Sequence, residues 1–146
     1  MVILWKIFVF ISLLFIVSCS SSYEDLKKNS YEPSNKFSKY LLEHYEEKAD
    51  FEAEIMHDWN SAKLYSEKAL SAIKGNKIYP EKINYWKISA ENKYDLIIAY
   101  NNLMTIYEDG VSLDPFNLAK AISSLDCWSE QQEEKWQIWD INKCKD

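Results

Sequence analysis

The chain has 146 residues and a formal charge of −6, and all 17 of its basic residues are lysine. Without arginine forks for phosphate or guanine, and with no basic stripe among its plentiful aromatics, nucleic acid is not an expected partner. Two glycines and three prolines are too few for an all-β chain with many tight turns, so the composition predicts one small, acidic, all-α domain.

Residues 1–18 differ from the rest. Ile7 to Val17 is an uncharged apolar run broken only by Ser12 and preceded by Lys6 and the terminal amine. A charged start followed by an apolar segment of about 7 to 15 residues is the layout of a secretory signal peptide. The alternative is an uncleaved anchor, but spanning a bilayer takes about 20 apolar residues. Ile16-Val17-Ser18-Cys19 then resembles the bacterial lipoprotein lipobox, in which small or aliphatic residues precede a cysteine. The resemblance implies that residues 1–18 are a lipoprotein signal peptide cut after Ser18. It implies too that the Cys19 thiol is diacylglycerated and its new amine acylated. Several acyl chains anchor a protein far more firmly than one. Ser20 in the second mature position, rather than Asp, resembles lipoproteins sorted to the outer membrane, which implies a lipid-anchored protein facing the periplasm.

Residues 19–35 are expected to form the lipidated flexible tether, and residues 36–146 a helical periplasmic domain. Ser20 to Asn35 is rich in serine, lysine and asparagine, with Pro33 near its end and no hydrophobic period. A disordered segment of this length spans about 20 to 25 Å on average.

A first helix is expected from about Phe37 to His57, because Phe37, Tyr40, Leu41, His44, Phe51, Ile55 and Trp59 share one face. A second runs from about Ser61 to Lys74 on the stripe Ala62, Tyr65, Ala69, Ala72 and Ile73, with Asp58 or Asn60 as N-cap and Gly75 at C′. Asn76 to Ala90 is a connector around Pro80, held over the helices by Trp86. The third helix, about Glu91 to Glu108, carries two apolar stripes, so it is expected to be central, with Gly110 marking its end. Asp114-Pro115 opens a fourth helix, whose inner face is Leu118, Ala121, Ile122, Leu125 and Trp128. A bundle of four to five helices follows.

The last stretch, Asp126 to Cys144, holds three of the six tryptophans and the cysteines Cys127 and Cys144. One continuous helix would hold those cysteines roughly 26 Å apart at about 1.5 Å per residue. A disulfide needs Cα atoms within about 7 Å, so the bond and the straight helix exclude each other. Export favours oxidised thiols, and with Cys19 acylated these two remain to pair. The chain is then expected to reverse near Lys135 and Trp136 into a helical hairpin, with Asp140 a possible cap for a short last helix.

The segment W-N-S-A-K-L-Y-S-E-K-A-L-S-A-I-K-G resembles the second helix of a tetratricopeptide (TPR) unit, although no 34-residue period recurs. A wider resemblance rests on F-E-A-E-I-M-H-D-W, A-K-L-Y-S-E-K-A-L-S-A, D-C-W-S-E-Q-Q-E-E-K-W-Q and I-N-K-C. These pieces are similar to the helical region that precedes the peptidoglycan-binding domain of α-proteobacterial OmpA-like lipoproteins. The resemblance implies an envelope location and a helical module. The OmpA-like domain that follows in those proteins is not among these residues, so peptidoglycan binding carries over to none of them.

Glu54-Ile55-Met56-His57 has ligand spacing on a helix, but di-iron bundles need two such motifs and two further glutamates, so a surface pair is expected. His44 reads as a half-buried helix residue. Glu130, Glu133 and Glu134 read as a solvated helix face rather than an acidic docking patch, and Trp128, Trp136 and Trp139 as core packing around the disulfide rather than a ligand-binding wall. No cofactor, metal or catalytic residue is expected. The function expected is a non-enzymatic envelope scaffold or protein-interaction module with an envelope protein as partner. The alternative is a ligand carrier or hydrolase with its site in an aromatic-lined groove.

Overall fold

The computed structural model describes residues 21–134 and 138–145, and all regular structure within them is helical. Six α-helices follow one another: α1 (Ser21–Lys28), α2 (Lys36–Asp50), α3 (Trp59–Ile73), α4 (Ala90–Leu113), α5 (Pro115–Glu134) and α6 (Ile138–Lys145). A π-helical turn, Phe51–Met56, closes α2, and a single 3-10 turn, Ile83–Tyr85, sits in the connector before α4. The count exceeds the expected four to five because α1 forms within the segment expected to be a tether, whereas a short last helix is expected.

The core is an antiparallel pair, α2 and α3, on which α5 lies. Leu41, Tyr45, Ala49 and Ala53 from the first meet Ala62, Tyr65, Ala69 and Ala72 from the second, all at most 2% exposed. Alanine at the crossing lets the two backbones approach closely, and burial of the tyrosines supplies most of the apolar area. Both helices start on side-chain caps. Asn35 accepts from the Ser38 amide at 2.9 Å, and Asp58 accepts from the amides of Asn60 and Ser61. Gly75 ends α3 at φ +80°, the left-handed conformation that a C′ glycine adopts without strain.

Three expectations are corrected. The segment expected to be a disordered tether is helical from Ser21. Leu26 is buried, Tyr23 donates to Asp50 at 2.9 Å, and Lys27 pairs with Glu46 and Asp50. Its few apolar residues, Tyr23, Leu26 and Tyr31, find places against the core, which a composition average does not register. The third expected helix, α4, is peripheral and not central. Only Leu96, Leu103 and Tyr107 are buried, while Tyr94, Ile97, Ile98 and Ile106 are exposed. It packs mainly on α5, so one of its two apolar stripes is left uncovered. Gly110 does not end that helix, which continues to Leu113. A Cβ there would lie 3.2 Å from Leu118 Cδ2, so the glycine serves the close approach of α4 to α5.

Asp114 caps α5 as expected, accepting from the Asn117 amide at 3.3 Å. Leu118, Ile122 and Leu125 are buried, but Ala121 faces solvent and Ala119 takes its place. The connector is buried through Ile78, Ile83, Trp86 and Ile88. It is tied down by the Tyr107 hydroxyl, which donates to the Ile78 carbonyl at 2.8 Å. Helix α6 turns back onto α5, and Cys127 and Cys144 are bonded with Cα atoms 5.6 Å apart. The expected reversal point, Lys135 and Trp136, lies outside the described residues.

Candidate functional site

Helix α5 carries two buried acids one turn apart, and both lie in register with its apolar stripe: Leu118, Ile122, Asp126 and Glu130 succeed one another at intervals of four. Asp126 is fully buried and fully partnered. Its Oδ2 accepts from the Tyr45 hydroxyl at 2.7 Å and from Lys68 Nζ at 2.6 Å, and its Oδ1 accepts from the Glu81 amide at 2.6 Å. Lys68 also donates to the Tyr79 carbonyl and pairs with Glu81 at 3.0 Å. Burial pushes the Asp126 carboxyl up, and Lys68 and the three donors oppose that rise. This network joins α2, α3, α5 and the connector through one carboxylate.

The second acid belongs to a different kind of site. Glu130 and Glu52 are each 3% exposed, and one oxygen from each lies with one oxygen of Asp58 in a group no wider than 4.8 Å. The three acids come from α5, from the π-helical turn and from the N-cap of α3. The π turn builds the site. The amides of His57 and Asp58 both fold back to the Glu52 carbonyl, the latter at 2.9 Å, with His57 in the left-handed region at φ 57°. That reversal brings two acids six positions apart to one point, and π turns recur at functional sites for this reason.

The electrostatics of this group are unfavourable. Glu52 Oε2 is enclosed and has no hydrogen-bond partner. Glu52 is pushed from the usual 4.5 to about 8, first by burial and then by the charges of Glu130, Glu134, Asp58 and Asp140. Glu130 rises to about 7, again mainly by burial and the charge of Glu134. Its hydrogen bonds from Gln131 (2.8 Å) and Ser61 (3.1 Å) hold it back. Among the described residues, the nearby positive charges are Lys48 on α2, which feels Asp126 and Glu130, and Lys143 on α6, which feels Asp140. A cleft of about 300 Å³ lined by Asp58, Ser61, Trp86 and Glu130 reaches the group from one side. A cavity of about 300 Å³ lined by Phe51, Glu52, Tyr65, Asp140 and the disulfide reaches it from the other.

The residues singled out in the sequence fall as follows. Cys19 and Trp136 lie outside the described residues. Cys127 and Cys144 are joined and line the second cavity. Glu54 and His57 are exposed; Glu54 accepts from Tyr23 and His57 Nδ1 lies 3.2 Å from the Ala53 carbonyl, so the two serve local structure. His44 is half-buried, as expected, and its ring lies 5.4 Å from that of Phe116. The solvated face expected at Glu130, Glu133 and Glu134 is corrected at Glu130, which is buried, while Glu133 accepts from the Lys87 amide at 2.9 Å. Core packing is corrected for Trp139, which is 63% exposed, and holds in part for Trp128, half-buried against the core.

Sequence reasoning missed Glu52, Asp58 as an acid, Asp126 and Glu130. The signal was present: Glu52 continues the stripe Leu41, Tyr45, Ala49, and Asp126 and Glu130 continue that of α5. Set against known protein families, curated proteins and solved structures, the chain matches none.

Proposed function

We propose that this chain is a lipid-anchored periplasmic protein of the outer membrane that acts as a non-enzymatic interaction module for another envelope protein. The address rests on the lipobox-like Ile16–Cys19, and the paired Cys127 and Cys144 suit an oxidising compartment. No described helix is long and apolar enough to cross a membrane; the attachment proposed is the lipid on Cys19. Because α1 is described from Ser21, two positions after Cys19, the lipid would hold the bundle close to the membrane rather than off on a long tether. The α2–α3 pair is read as a TPR-like hairpin, the kind of scaffold that presents helix faces to partners.

The observation that carries the reading is the outer face of α4. Tyr94, Ile98, Ile106 and Leu113 are spaced by four, eight and seven residues, so they run along one side of the helix, with Ile97 beside them. They are 69%, 42%, 56% and 81% exposed. Large apolar side chains aligned in this way on a small acidic protein mark a surface that another protein covers. The alternative, a ligand carrier, is favoured by the cavity lined by Phe51, Tyr65, Glu52 and Asp140, whose volume of about 300 Å³ is at the lower end for ligand sites.

A photo-crosslinking residue in place of Ile98 should give one discrete protein adduct in intact cells, and the same residue in place of Glu43 none. Ile98→Lys should unfold within about 0.5 kcal/mol of wild type, because the position is exposed, and should abolish an adduct formed from position 106. Equal labelling from Glu43, or an adduct at position 106 that survives Ile98→Lys, would remove α4 as the interface. Cys19→Ala should release the protein from membranes or leave its precursor uncut; cleavage and membrane attachment at wild-type levels would remove the lipid anchor.

A further inference from the structure

We propose that Glu52, Asp58 and Glu130 form a binding site for a hard divalent cation of calcium's size. The inference stands apart from the interaction surface on α4 and draws on a different part of the molecule.

Three observations support it. The first is the ligand geometry. Calcium is bound by oxygen at about 2.3 to 2.6 Å, so ligands on opposite sides of the ion lie about 4.6 to 5.2 Å apart. One oxygen each of Glu52, Asp58 and Glu130 already fits within 4.8 Å, which an ion can bridge without rearrangement of the backbone. All three ligands are carboxylates, the donor type that hard cations take and that softer metals share with nitrogen or sulfur.

The second is the state of Glu52. Its Oε2 is buried and accepts no hydrogen bond from any described group. A buried acceptor left without a partner costs about 1 to 3 kcal/mol in general, more when charged. At Asp126 the fold supplies such partners in full. Glu52 instead faces Glu130 and Glu134 from α5, Asp58 from the start of α3 and Asp140 from α6. Among the described residues, Lys48 and Lys143 line the same cavity as Glu52 without forming an ion pair with it. The missing partner of an acid surrounded by acids is a positive charge, and a divalent ion neutralises more than one of them at once.

The third is access. The cleft lined by Asp58, Ser61, Trp86 and Glu130 opens the group to solvent, so an ion can enter and water can complete its coordination. The Ser61 hydroxyl, 3.1 Å from both Asp58 Oδ2 and Glu130 Oε1, orients two of the three ligands. Ion and protons then compete for the same oxygens. The site therefore weakens as pH falls.

The full-length chain, purified in detergent and stripped with chelator, is titrated with Ca²⁺ by calorimetry at pH 7.5 and pH 5. One ion per chain is expected, with affinity at least tenfold weaker at pH 5 and a higher thermal midpoint when bound. Mg²⁺, which prefers about 2.1 Å, should bind at least tenfold more weakly. Glu52→Gln should fold, keep the midpoint of the stripped wild type or exceed it, and lose the response to Ca²⁺, whereas Glu43→Gln should respond like wild type. Absence of Ca²⁺ binding, equal or tighter Mg²⁺ binding, or a wild-type response from Glu52→Gln overturns the proposal. Should Glu52→Gln not fold, Tb³⁺ emission excited through tryptophan decides, since Trp86 lines the cleft. Sensitised emission that Ca²⁺ displaces supports the site, and its absence overturns it.

Discussion

Asp126 and Glu130 sit one turn apart on the same helix, both out of solvent, and their surroundings are opposite. Asp126 has a lysine, a tyrosine hydroxyl and a backbone amide on its two oxygens. Glu130 has hydrogen bonds from Ser61 and Gln131 but no ion pair among the described residues, and it faces Glu134, Asp58 and, across the group, Glu52, with Lys48 felt at longer range. A buried carboxylate that serves structure is given its counter-charge by the fold. One that the fold leaves among like charges depends on something exchangeable, a proton or an ion. The difference separates a keystone from a site, although both are buried acids on the same face of one helix.

The largest test of that contrast is to take the counter-charge from the keystone. Lys68→Met leaves Asp126 buried beside Glu81 with no cation, and loss of one partner from a buried pair costs about 3 to 5 kcal/mol. Urea unfolding at pH 7 should show this loss, and Lys68→Met with Asp126→Asn should recover much of it, because the amide carries no charge to strand. A loss below about 1 kcal/mol would mean that Asp126 is as tolerant of missing charge as Glu52, and the contrast would fail.

The second test titrates the other site. Glu52 has a folded value of about 8 against about 4.5 when unfolded, so between those values the folded chain holds more protons than the unfolded one. Stability therefore falls as pH rises through that window, and the penalty is complete above pH 8, on the order of a few kcal/mol. In chelator, Glu52→Gln should be more stable than wild type at pH 8 and within about 0.5 kcal/mol of it near pH 3.5, about one unit below the unfolded value, where the acid is largely protonated in both states. Saturating Ca²⁺ should flatten the wild-type profile in the same way. Parallel profiles for the two proteins would show that Glu52 carries no buried charge.

Much of the fold was legible in the sequence because it depends on local chemistry. Asp58 as a cap, Gly75 as a terminator, Asp114-Pro115 as a start and the alanine stripe of α3 each act within a turn or two of themselves. The failures involve tertiary partners. Two apolar stripes on α4 suggested a central helix, since a sequence does not distinguish a stripe covered by its own chain from one left for another molecule. Gly110 read as a terminator because the approach of Leu118 is not a local fact. The carboxylate group was hidden by a rule of residue type: Glu52, Asp126 and Glu130 fall in the apolar register, yet charge alone assigned them outward or left them out. Charged residues in phase with a hydrophobic stripe are the signal to retain, and Lys68, three residues after Tyr65 on the same stripe, belongs with them.

The smallest test compares one hydroxyl in each site. Tyr45→Phe removes a 2.7 Å donor to a carboxylate that is paired with Lys68, and hydrogen bonds to charged groups contribute about 1.5 to 3 kcal/mol. Ser61→Ala removes a hydroxyl placed 3.1 Å from two acids, with a single proton to share between them. While Glu130 is ionised, that proton serves one carboxylate and the other faces an oxygen lone pair. Once Glu130 is protonated it donates to Ser61, and Ser61 donates to Asp58. The hydroxyl bond to Glu130 holds its value down, so Ser61→Ala should move that titration upward from about 7. Its cost should be about 1 kcal/mol or less, and most visible above pH 8, where Glu130 must ionise without the donor. A cost from Ser61→Ala equal to that from Tyr45→Phe at every pH would mean that Glu130 is held by the fold as firmly as Asp126, with no place for an exchangeable charge.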